Sequence, residues 1–101
     1  IEEAVRKLKE AHVCPNLLID CSHGNSRKKH ENQAIVFDNV VSQIKNGNNN
    51  IVGMMIESNR HEGNQPIQKN KKDLKYGISI TDACISWETT ESLIKNMAKE
   101  I

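Results

Sequence analysis

The chain has 101 residues, of which 37% are hydrophobic and 27% charged, with a formal net charge of +1. That balance fits one unit of ordinary globular composition and leaves no basic surface for nucleic acid or acidic membrane. No apolar run approaches the roughly 20 residues that a membrane-spanning helix needs, so neither nucleic acid nor membrane is an expected partner.

In chain order, Ile1, Ala4, Val5, Leu8 and Ala11 recur at helical spacing with charges opposite, which predicts an amphipathic helix over 1–12. The chain opens inside that helix without a Met, and is expected to be cut from something longer. Pro15 and Asn16 interrupt, and LLIDCSH then reads as a strand over 17–23. The polar residues 27–33 form a loop or the first turn of a second helix, whose apolar face is Ala34, Phe37, Val40, Val41 and Ile44. Gly47 is the expected stop of that helix.

IVGMMIES, residues 51–58, is nearly all apolar and bounded by turn residues, the pattern of a strand covered on both faces in a parallel sheet. Residues 59–85 are polar and irregular, a connection longer than a plain turn and of the kind that carries function. Leu93, Ile94, Met97 and Ile101 mark a last helix over 88–101. The alternation argues for βα units, yet two strands alone leave two sheet edges bare. Other segments or other copies of the chain are expected to complete the sheet.

Chemistry gathers at the strand ends. Alternation places Leu17, Ile19, Cys21 and His23 on one face of the first strand, and Ile51, Gly53, Met55 and Glu57 on one face of the second. His23 and Glu57 are then the last inward positions of neighbouring parallel strands, where α/β folds collect ligands. An imidazole and a carboxylate there make half of a metal site, or an ordinary hydrogen-bonded pair. Asp20 and Ser22 read as caps of the next helix, and Gly24 as the residue that lets the chain turn.

In YGISITDACISWE, Asp82 is either a turn former or a third ligand. Ile78, Ile80, Ile85 and Trp87 read as packing residues, and Cys84 as a small buried hydrophobe. Three cysteines, Cys14, Cys21 and Cys84, are an odd and widely spaced set that argues for a reducing, cytoplasmic setting. The basic clusters Arg27–Lys29 and Lys69–Lys72 read as solvated loops.

Three motifs in this order, IDCSHGNS, IESNRHEGNQ and YGISITDACISWE, resemble the C-terminal part of the class I 3-deoxy-D-arabino-heptulosonate 7-phosphate (DAHP) synthases, over essentially all 101 residues. The resemblance implies the last two strands and last helix of a (β/α)8 TIM barrel, with residues 1–101 as part of a single barrel domain. It implies a transferase that condenses phosphoenolpyruvate with erythrose 4-phosphate at the start of the shikimate pathway of aromatic amino acid biosynthesis. It also implies a divalent metal, Mn2+ first and Fe2+, Co2+ or Zn2+ as alternatives, with His23, Glu57 and Asp82 as ligands and Asp82 beside the aldehyde.

The family's fourth ligand, a Cys, and the cations that grip the substrate phosphates belong to earlier segments, so the 101 residues alone are expected to be inactive. Cys14, Cys21 and Cys84 do not match that ligand. Asn59 departs from the His that bacterial members often carry beside the ES pair. An incomplete barrel exposes apolar surface, so the isolated segment is expected to form a homo-oligomer or pack with copies of itself, with strands or helices swapped between chains. The alternatives are the related 3-deoxy-D-manno-octulosonate 8-phosphate synthases and a non-catalytic structural or interaction module.

Overall fold

A computed structural model describes residues 1–101. Five regular elements follow in order: α1 Glu2–Glu10, β1 Leu17–Asp20, α2 His30–Lys45, β2 Ile51–Met55 and α3 Trp87–Glu100, with 3-10 turns at Gly24–Ser26 and Lys71–Asp73. Two helices stop by the same device. His12 and Gly47 take positive φ just past α1 and α2, which lets the next N–H groups, of Val13 and Asn48, turn back onto Leu8 and Gln43 carbonyls. Gly47 does this without Cβ strain; His12 does it at φ 57. α3 begins at Ser86, whose Oγ accepts the Thr89 N–H.

β1 and β2 pair in parallel, Leu18 opposite Gly53 and Asp20 opposite Met55, with a register irregularity between Leu17 and Leu18. The sheet has these two strands and no others. α2 and α3 pack over one side of it. Their shared core is Cys21, Phe37, Val41, Ile85 and Leu93, with Met54, Ile56 and Met97 packed against it. The α/β architecture and parallel pairing match expectation; the two strands are those of an open sheet, not a closed barrel.

Both strands are shorter than their apolar patterns. β1 ends at Asp20 rather than residue 23, because the Asp20 carboxylate accepts the N–H groups of Ser22 and His23 and bends the chain there. His23 has φ −96 and ψ −108, which is not extended backbone. Strand alternation therefore does not carry it, and Cys21 and His23 do not share a face: Cys21 is fully buried in the helix-side core. Positive φ after the turn falls on Arg27 and Lys28, not on Gly24.

Residues 59–85 fold back on themselves. Gly63 and Cys84 bridge antiparallel, Asn64 bridges Ser79, and the Gln65 side chain binds the backbone of Lys75 and Ile78. Ile85 is buried as expected, whereas Ile80 and Trp87 are about half exposed. Both basic clusters are exposed.

Candidate metal centre

The three side chains come from three chain segments. His23 hangs from the turn after β1, Glu57 lies two residues beyond β2, and Asp82 sits in the bend before α3. Donor atoms of all three lie within 4.8 Å of one another. His23 Nε2 is 3.0 Å from Asp82 Oδ2 and 3.4 Å from Glu57 Oε1.

Around an ion with bonds of about 2.1 Å, donors sit roughly 3 Å apart when adjacent and about 4.2 Å when opposed. His23 Nε2 stands at about the adjacent-donor spacing from both Asp82 and Glu57.

The other imidazole nitrogen is already engaged. His23 Nδ1 lies 2.8 Å from Asp20 Oδ2, so Asp20 fixes the ring orientation and leaves Nε2 facing the cluster. Ser22 Oγ donates to Glu57 Oε2 at 2.6 Å, which leaves Oε1 for the His23 side. Ser22 itself is buried, and its carbonyl accepts the Ser26 hydroxyl, tying the turn down.

Electrostatics point the same way. Asp20, Glu57 and Asp82 surround a single imidazole, and no Lys or Arg pairs with any of them. The hydrogen bond to Asp20, then that to Asp82, raises the His23 pKa above its ordinary 6.5. Burial would raise the Asp20 carboxyl, but its bonds from the His23 ring and from the Ser22 and His23 N–H groups outweigh that and leave it lowered. The three carboxylates make the cluster negative and favour the protonated form of the His23 imidazole in the metal-free protein. Nitrogen and oxygen donors of this kind suit Mn2+, Zn2+ and similar divalent ions.

All three ligand candidates read from the sequence are thus brought together. Asp20 and Ser22, read as helix caps, instead orient His23 and Glu57. The D-x-x-H spacing was the available signal, since an Asx turn over that span returns the carboxylate to the imidazole. Cys84 is buried, and burial raises its thiol, so it behaves as the small hydrophobe expected. Cys21 is the same case. Asn59 turns its side-chain oxygen back onto the N–H of Arg60.

His23 and Glu57 stand just beyond the carboxyl ends of two parallel strands with Asp82 beside them, the place where α/β folds bind ligands. Residues 1–95 match the DAHP synthetase I family, and the chain belongs to that family. It is 46% identical to the Tyr-sensitive phospho-2-dehydro-3-deoxyheptonate aldolase of Salmonella typhimurium over 101 residues, covering 100% of this chain and 28% of that protein. The tyrosine-inhibited phospho-2-dehydro-3-deoxyheptonate aldolase of Schizosaccharomyces pombe is 52% identical over 102 residues, covering 97% of this chain and 27% of that protein. The solved phospho-2-dehydro-3-deoxyheptonate aldolase of Francisella tularensis superposes with a TM-score of 0.90 at 44% identity, over 100% of this chain and 29% of that one. The chain spans less than a third of the length of each of these relatives.

Proposed function

We propose that this chain supplies the metal-binding rim of a DAHP synthase, as the last two staves of a (β/α)8 barrel domain completed by further chain. The reading rests on one observation: His23, Glu57 and Asp82, from separate segments of a DAHP synthetase I family member, converge within 4.8 Å. The full-length enzyme condenses phosphoenolpyruvate with erythrose 4-phosphate, releases phosphate, and works in the cytoplasm as a homo-oligomer.

His23, Glu57 and Asp82 would hold a divalent ion, Mn2+ in the first instance. When bound, it supplies Lewis acidity toward the aldehyde oxygen of erythrose 4-phosphate. The chain's own residues position the site. Asp20 keeps the imidazole turned toward the cluster, and Ser22 turns the Glu57 carboxylate. Asp82 is the most exposed of the three, which supports the reading that it lies nearest the arriving aldehyde.

The test uses the full-length polypeptide carrying this chain, given Mn2+ and both substrates, with phosphate release and Mn2+ affinity measured. His23→Ala, Glu57→Ala and Asp82→Ala should each weaken Mn2+ binding by at least tenfold and lower turnover. Wild-type affinity in all three variants would sink the assignment, and no phosphate release from the wild type would sink the reaction.

A further inference from the structure

Gln33 has the chemistry of a surface residue and the burial of a core one. It lies in the first turn of α2 at 0% exposure, in register with the apolar face formed by Phe37, Val40, Val41 and Ile44. Its side-chain amide is spent on the backbone of one residue. The Glu57 N–H donates to Gln33 Oε1 at 3.0 Å, and Gln33 Nε2 donates to the Glu57 carbonyl at 3.3 Å.

The need for this pairing follows from the sheet. β1 leaves β2 where the Cys21 N–H meets the Met55 carbonyl, so Glu57 has no strand partner on that side. A primary amide offers one donor and one acceptor, as a neighbouring peptide unit does. Gln33 therefore stands in for the missing strand. The Ile85 N–H donates to the same Glu57 carbonyl at 2.9 Å, and Ile85 follows Asp82 by three residues. Glu57 is clamped between the start of α2 and the segment that carries Asp82, while Ser22 holds its side chain.

We infer that Gln33 is a positioning residue for the metal centre: its amide fixes the Glu57 backbone, and so sets where the Glu57 carboxylate meets His23 and Asp82. The inference rests on the metal-centre reading and adds to it a residue that touches neither metal nor substrate. An apolar residue in the same core position would pack as well, but would leave the Glu57 N–H without its partner and free the carboxylate to drift.

The decisive measurement is Mn2+ affinity, by electron paramagnetic resonance of free Mn2+, on the full-length polypeptide carrying this chain. Gln33→Met keeps the length and removes both hydrogen bonds, whereas Gln33→Asn keeps the amide but withdraws it by one methylene. Each should weaken Mn2+ binding by about 10- to 100-fold, the usual consequence of losing a residue that orients a ligand. Val40→Ala, on the same buried face of α2, should lower the unfolding midpoint and leave Mn2+ affinity within about twofold of wild type. If Gln33→Met does not fold, Gln33→Asn decides the matter.

Retained affinity in the folded Gln33 variants, alongside a loss in Glu57→Gln, would overturn the inference while leaving the metal centre standing. Equal loss in Val40→Ala would overturn it as well, because general loosening would then explain the effect. Unchanged affinity in Glu57→Gln would instead remove the metal-centre reading, and this inference with it.

Discussion

His23 is where charge, geometry and function meet. Its ring is held at Nδ1 by Asp20 and faces Asp82 and Glu57 through Nε2, with its side chain 35% exposed. In the metal-free protein its raised pKa makes a signed contribution to stability. That contribution is complete below the ordinary value of 6.5 and is lost as pH rises through the raised folded value. Asp20, with a lowered folded pKa, contributes above its ordinary value of 3.8 and loses that contribution as pH falls through the folded value. The pair is therefore most stabilising between those two ordinary values. In chelator-treated protein, Asp20→Asn should move the His23 titration, followed by imidazole proton NMR, down toward the ordinary value. The stability difference from wild type should be largest near pH 5–6 and fade above the wild-type His23 pKa. An unmoved titration would contradict the pairing. Of these residues, His23 and Glu57 were legible in the sequence as reactive groups closing apolar runs. Asp20, Ser22 and Gln33 were not legible in their roles, because polar groups that act on a neighbour's orientation leave no periodic mark.

At the scale of elements, the long connection between β2 and α3 is an ordered device. Isolated bridges anchor it at Gly63, Cys84 and Ile85, and its chain passes Gly77 at φ +76. A Cβ on Gly77 would come 2.8 Å from Arg60 Cβ and 3.1 Å from the His61 ring. Neither the positive φ nor that approach tolerates a side chain. The Gly77 carbonyl also accepts the His61 N–H at 2.8 Å, which joins the two sides of the loop there. Gly77→Ala should cost about 1–3 kcal/mol and expose residues 59–85 to protease. Denaturant unfolding and limited proteolysis would check this, and an unchanged midpoint would refute it. The sequence marked the connection as too long to be idle. Its internal pairings escaped, since they join residues such as Asn64 and Ser79 that carry no apolar alternation.

For the molecule as a whole, the dimensions are those of an open assembly. The radius of gyration is 16.3 Å, against about 13 Å for a compact domain of 100 residues. Only 12 of 101 residues are buried, and none of them is in α1 despite its apolar stripe. Leu18 and Val52, on the two strands, are 65% and 62% exposed, and Ile35 is equally bare. Each strand has one unpaired edge, a template for further pairing. The isolated 101-residue chain should therefore self-associate with rising concentration in sedimentation velocity runs. Leu18→Lys with Val52→Lys should shift it toward monomer; a wild type that stays monomeric at high micromolar concentration would contradict this.

By itself the sequence determined the element types and their order, the parallel pairing implied by βα alternation, and the three motifs whose resemblance led to the family. These follow from local periodicity and from residue types that chemistry restricts. Only the structure decided where β1 ends, since a single carboxylate at Asp20 outcompetes the extended backbone that the pattern favoured. It also decided that Cys21 turns into the core while His23 turns to the rim, and that Gln33 is buried to serve Glu57. The Gln33–Glu57 bonds join residues 24 apart and need α2 packed on the sheet, whereas the Asp20 bonds are local and win because the turn is held from both sides by packed elements.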